Sequence, residues 1–225
     1  MKKNLILAAG IILMAPLASV AQSSADAPAI VQRVKLMYDL NTLSPKDGDN
    51  AYFNGFGAGY DIDFRVSSTM PIYVGTGLDV RGAWHDEKII ESGDYNPVDI
   101  QVNSTLVNLN MPINVSYRVP VAQDFYLTPQ LGLDFRVQLY GHSKVENVVK
   151  LDRDDDLDLG DYSVNLFSDK DMNGDKLRRF QFGWHAAVIA EYQRISLGLS
   201  YGTDFVKLHK NLGGSNFLVS VGYTF

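Results

Sequence analysis

The chain contains no cysteine, which excludes disulfide staples, thiolate chemistry, Cys-ligated zinc or iron-sulfur sites and lipid attachment through an N-terminal Cys. Histidine is scarce, with four residues, and no GxSxG, HExxH or phosphate-cradling glycine loop is present, so a metalloprotease reading has no support. Positive charge is in deficit, with 20 Lys plus Arg against 26 Asp plus Glu in 225 residues. That balance makes nucleic acid a poor partner. Beyond the N-terminus no apolar run approaches the roughly 20 residues of a membrane-spanning helix. What is present, 46% apolar and 11% aromatic residues, suffices for one sizeable domain and argues against disorder.

The opening MKKNLILAAGIILMAPLASVAQ reads as a secretory signal. Lys2 and Lys3 supply the basic start, Leu5 to Leu17 the short apolar core, and Ser19-Val20-Ala21 a small-x-small cleavage site. Cleavage there would leave 18 Lys plus Arg against 26 Asp plus Glu. The expected organisation is a signal peptide over 1–21, a short periplasmic segment over 22–30 and a single domain over 31–225.

Past residue 30 the apolar period is two. Phe56, Ala58, Tyr60, Ile62, Phe64 and Val66 alternate with Gly55, Gly57, Gly59, Asp61, Asp63 and Arg65, and Val107 to Val119 repeats the pattern. No helix keeps such alternation. It predicts eight strands, near 31–40, 52–66, 72–84, 102–119, 125–141, 180–192, 195–205 and 216–225. Most reach the roughly 9 to 11 residues that a tilted strand needs to cross a bilayer. The connections alternate as well: short after the second, fourth and sixth strands, and about 11, 17, 38 and 10 residues after the others. Short periplasmic turns and long extracellular loops are the asymmetry of outer-membrane barrels.

A soluble eight-stranded ligand-binding barrel alternates equally well. Three features favour the membrane. The polar face is rich in glycine, including Gly57, Gly59, Gly75, Gly77, Gly132, Gly183, Gly198, Gly202 and Gly222, which suits a narrow, crowded interior. The apolar face carries aromatics near strand ends, among them Tyr38, Tyr60, Trp84, Tyr117, Trp184, Tyr192, Tyr201 and Phe205. The chain ends FLVSVGYTF, with Phe217, Val219, Val221, Tyr223 and Phe225 on one face, and this ending resembles the C-terminal strand recognised by outer-membrane assembly machinery. The expected fold is therefore an all-β, eight-stranded antiparallel up-and-down transmembrane barrel.

The stretches LVNLNMPINVSYRV (106–119), FYLTPQLGLDFRVQL (125–139) and FQFGWHAAVIAEYQRISLGLSYGTDF (180–205) resemble the PorT-like family of small outer-membrane β-barrels. Pro112 fits that family's proline in mid-strand, although proline removes a ladder donor. The resemblance implies the fold and an outer-membrane location in a Gram-negative bacterium. It brings no catalytic set, and some PorT-like members are tied to protein secretion.

With the polar face inward, Arg33, Lys35, Arg65, Arg81, Arg118 and Arg136 share the lumen with Asp39, Asp61, Asp63, Asp79, Asp134, Glu191 and Asp204. Near-balanced charges would pair in a barrel only wide enough for side chains. A plugged lumen is expected, with a narrow passive pore as the alternative. His185 with Ser200 or Asp204 on the next strand is the candidate for a small outer-membrane enzyme acting at the outer rim on lipid or peptide. The simpler assignment makes it one more polar lumen residue. In loop 142–179, Asp169, Asp171, Asn173 and Asp175 occupy positions 1, 3, 5 and 7 of a calcium loop, but position 12 is Phe180 where a bidentate Glu is needed. The chain is thus expected to be a non-enzymatic integral barrel without cofactor. Its role would lie in envelope structure, surface interaction or an export apparatus. The expected partners are outer-membrane lipid and lipopolysaccharide, the assembly machinery, and envelope or secretion proteins.

Overall fold

The computed structural model describes residues 27–46, 49–92, 97–149, 157–158, 161–172, 176–206, 208–209 and 212–225. The signal-peptide expectation for 1–21 lies outside them. Strict alternation over most of the chain gives strands β1 (Ile30–Pro45), β2 (Ala51–Arg65), β3 (Ile72–Ser92), β4 (Pro97–Tyr117), β5 (Val119–Ala122), β6 (Phe125–Val149), β7 (Leu157–Asp158), β8 (Tyr162–Asn165), β9 (Phe180–Tyr192), β10 (Ile195–Asp204) and β11 (Leu212–Thr224). Eight of them form a ring, in the order β1-β2-β3-β4-β6-β9-β10-β11, with every pairing antiparallel. β1 closes on β11 from Arg33↔Thr224 to Pro45↔Leu212, and β4 on β6 from Val98↔Val149 to Ser116↔Gln130. Closure pairs the backbone groups that an open sheet would leave bare in hydrocarbon.

Burial follows the sequence period. Along β1, Val31, Arg33, Met37 and Asp39 are buried while Val34, Leu36 and Tyr38 are exposed. The polar face is therefore the inside and the apolar face the outside. Outside, cross-strand aromatic rows form where the alternation brings rings together: Tyr38, Phe56 and Trp84 with centroids 5.4 and 5.7 Å apart, and Phe135, Phe182 and Phe205 at 5.0 and 5.4 Å.

The strands run further than the alternation predicts. Residues 85–92 and 97–101, expected as loop, continue β3 and β4, and β6 continues to Val149 with β7 and β8 folded back on it. The reason is solvation: past the apolar belt the outward face also meets water, so exposed Asp86, Glu87 and Lys88 carry no apolar alternation although the backbone stays extended.

Two local irregularities matter. The β4–β6 register slips between Val107↔Tyr140 and Asn108↔Gln138. This one-residue bulge reverses the phase of β6, so Gln138 faces in below it and Gly141 and Ser143 face in above it. The second irregularity lies opposite Pro112, where the β3–β4 ladder is interrupted between Thr76↔Ile113 and Asp79↔Asn110. Thr76 Oγ1 donates to the Pro112 carbonyl at 2.8 Å across that gap.

Candidate functional site: the lumen and its two mouths

The inward residues of the ring strands stack in tiers. At the end with the tight turns, Arg118 Nη2 donates to Glu191 Oε1 at 2.5 Å, Thr224 Oγ1 to Glu191 Oε2 at 3.2 Å, and Arg33 lies 3.7 Å from Glu191 and 3.9 Å from Asp61. Buried Tyr73 donates its hydroxyl to the Pro28 carbonyl at 2.8 Å, and Arg65 Nη1 donates to Ala27 O at 3.0 Å. These two bonds hold residues 27–29 against the lower mouth. Arg65 is a rim residue, also bonded to the turn carbonyls of Ser68 and Met70.

The middle tier is a chain of ion pairs. Lys35 lies 2.8 Å from Asp61 and 3.1 Å from Asp79, and Arg81 lies 2.7 Å from Asp79 and 3.5 Å from Asp39. Asn110 Nδ2 donates to Asp134 Oδ1 at 3.0 Å, and His185 Nδ1 is 2.8 Å from Asp134 Oδ2. A void of about 50 Å³ lies among these groups, room for roughly three to five waters at 10–15 Å³ each. Above it Arg136 pairs with Asp204 at 3.6 Å, and Gln181 Oε1 accepts from Arg136 and Gln138 at 3.4 and 3.2 Å.

Glycine makes this crowding possible. A Cβ on Gly59 would overlap Asp79 Oδ1, and one on Gly75 would overlap Asp63 Oδ1. Each of those carboxylates therefore sits in a notch that only a residue without a side chain leaves open.

The upper mouth is closed by apolar residues. Phe53, Ala83, Leu106 and Phe167 form one buried cluster, with Leu43, Ala51, Leu166 and Leu177 against it. Phe167 arrives from the segment after β8 and rests on Gly141, where a Cβ would strike its ring. The bulge in β6 is what presents Gly141 rather than Tyr140 to the interior. The segment is held by Leu166 N to Gly141 O at 3.1 Å and Leu177 N to Leu166 O at 2.8 Å. Arg179 reaches over it, its guanidinium 4.5 Å from the Phe167 centroid and donating to the Gln138 and Leu139 carbonyls.

The sequence-predicted residues fall as follows. Arg33, Lys35, Asp39, Asp61, Asp79, Arg81, Arg118, Asp134, Arg136, Glu191 and Asp204 meet inside the lumen in the pairs given above, and Asp63 is buried there too. His185 takes Asp134 as its partner; Ser200 borders the same void, and Asp204 pairs with Arg136. Of the calcium-loop residues, Asp169 pairs with Lys176, and Asp171 Oδ2 accepts from Asn165 N at 3.2 Å. Asn173 and Asp175 lie outside the described residues, among which no group of three metal-binding side chains occurs. Phe217, Val221, Tyr223 and Phe225 are exposed on the outer face of β11, with Val219 half-buried beside them. Sequence reasoning missed Tyr73 and Phe167. The only available signal for Phe167 was its position with Leu166 as an apolar pair inside an acidic loop.

The ring resembles solved outer-membrane barrels. The attachment invasion locus protein Ail of Yersinia pestis, crystallised with the heparin analogue sucrose octasulfate, is 14% identical over 88% of this chain and 100% of its own, with a TM-score of 0.41. Neisserial surface protein A is 13% identical over 88% and 98%, with a TM-score of 0.38. The N-terminal β-barrel domain of Pseudomonas aeruginosa OprF is 11% identical over 85% and 97%, with a TM-score of 0.30. Comparison with curated proteins gives no match. The family model described as "Outer membrane protein beta-barrel domain" matches residues 10–225, nearly the whole sequence. With an apolar outside, a polar filled inside and a closed ring, the chain belongs to this family of outer-membrane β-barrels.

Proposed function

We propose that this protein works as a closed, non-enzymatic barrel of the PorT-like kind, exported by a cleaved signal peptide. It would act through its surfaces, in envelope structure, surface contact or an export assembly, rather than by passing solutes. The observation that carries this reading is the obstruction of the lumen: buried Tyr73 and the Arg118–Glu191 pair toward the lower mouth, the ion-pair chain from Glu191 to Asp39 and the separate Arg136–Asp204 pair in the body, and the Phe53–Leu106–Phe167 cluster at the upper mouth. A selective pore would instead carry a ring of one charge sign along an open path. His185 and Asp134 lie between these obstructions, both buried, so a substrate at the outer rim has no route to them.

Single-channel recording on the refolded full chain tests the reading. The expected result is a silent bilayer with occasional unresolved flickers; steady nanosiemens conductance would refute it. Cross-linking in the native outer membrane, followed by mass spectrometry, separates the roles. Stoichiometric partners mark an assembly subunit, and a barrel recovered alone marks a surface or structural one.

A further inference from the structure

The upper rim is uneven in height and in charge. On the β3–β4–β6 side, β3 runs eight residues past Trp84 to Ser92, up to about 26 Å along the strand. In sequence, residues 85–101 hold five carboxylates against one lysine, Asp94 among them lying outside the described residues. On the β9–β10–β11 side the rim is low: β9 begins at Phe180 and β10 ends at Asp204. The two segments bordering it, 176–179 and 205–211, carry five Lys or Arg and no carboxylate. Lys207 and Lys210 among these lie outside the described residues and enter by sequence alone.

The two segments meet, since Arg178 N donates to Leu208 O at 2.8 Å. Arg179 is committed to Phe167 and the Gln138 and Leu139 carbonyls, and Lys176 pairs with exposed Asp169. Arg178 is exposed. Directly below are the outward rings of Phe180 and Phe205, the latter tied to β9 by Phe205 N to Phe182 O at 2.8 Å. A cationic ledge resting on an aromatic, lipid-facing row matches an amphiphile with an anionic headgroup and apolar chains. A soluble anion would gain nothing from the rings.

We propose that this low rim, centred on Arg178, binds the phosphate of an outer-leaflet phosphoglycolipid of the lipid A type, while the raised acidic hairpins stand clear of that anionic surface. The site follows from the orientation with turns toward the periplasm, and it stands whether or not the lumen conducts. The test is retention of diphosphoryl lipid A, against its dephosphorylated form, by folded full-length protein in native mass spectrometry. Folding of each variant is checked by its heat-modifiable gel mobility. Wild type should retain the diphosphoryl form preferentially. Arg178→Gln should weaken retention about fivefold, the equivalent of ~1 kcal/mol for the cation removed, and adding Lys176→Gln, whose ammonium already pairs with Asp169, should add little. Lys144→Gln, on the high side and already paired to Glu146 and Asp161, should change nothing. Equal retention of dephosphorylated lipid, unchanged retention in the Arg178 variants, or an equal loss in Lys144→Gln would overturn the proposal. Complete displacement by inorganic pyrophosphate would also overturn it, by assigning the ledge to soluble anions.

Discussion

Replacing Arg81 by Met should be among the most damaging single changes in the barrel. The guanidinium bridges Asp79 at 2.7 Å and Asp39 at 3.5 Å, with side-chain exposures of 7% for Arg81 and 1% for each carboxylate. At an effective dielectric of ~20, a unit pair at the longer distance attracts by about 5 kcal/mol, part of which offsets the desolvation of the ions. Asp79 keeps Lys35 at 3.1 Å and Asn110 Nδ2 at 3.5 Å. Asp39 has no other ion pair among the described residues, so the variant strands one buried carboxylate outright and half-strands another. Removing one partner of a buried pair costs about 3–5 kcal/mol, and that range is the expected loss. Adding Asp39→Asn should recover a substantial part of it, because the stranded charge is then gone. Urea titration of protein folded into short-chain lipid vesicles, followed by the fluorescence of Trp84 and Trp184, gives both values and closes the double-mutant cycle. A loss below about 1 kcal/mol, typical of exposed pairs, with no recovery in the double variant, would show that lumen water screens these charges. The ion-pair account of the plug would then fail.

Phe167→Ala should release the segment over the upper mouth without unfolding the ring, so trypsin would cut at Lys176, Arg178 or Arg179 far faster than in wild type while the remaining barrel stays heat-modifiable. Gly75→Ala forces a methyl onto Asp63 Oδ1 and should cost about 1–3 kcal/mol by overpacking in the same urea titration, whereas Gly82→Ala, where a Cβ meets nothing within 4 Å, should be close to neutral. Phe225→Ala removes an exposed ring from the end of β11 and is expected to lower the amount of folded protein reaching the outer membrane in cells, read by fractionation, with little effect on refolding in vitro.

The ring was legible because lipid outside and a packed polar lumen inside impose opposite demands on successive residues. β9 therefore matches its predicted range of 180–192, and β1 and β2 differ by a few residues at their ends. Legibility failed where those demands stop. Beyond Trp84 and Gly141 the strands continue in water, and neither face is required to be apolar. The lumen charges could be placed inside by phase alone, yet their pairing depends on register and shear, so His185 finds Asp134 across β6 rather than Ser200 or Asp204 on β10. The lid was hidden for a different reason. Phe167 packs through a short loop, held by Asn165 Oδ1 accepting from Phe167 N at 3.0 Å and by Asp171 on Asn165 N, and no periodicity announces such a contact.

The bulge at Leu139 divides β6 into two stretches whose side chains obey separate rules. Below it, the tight turns set which residues meet lipid; above it, the phase starts afresh from the bulge. Residues gained or lost in the raised hairpin thus leave every membrane-embedded position where it was, and a descendant gene could lengthen, shorten or recode the exposed end without relearning how to be inserted. The two ends of this barrel are thus specified by separate stretches of β6, joined at a single extra residue.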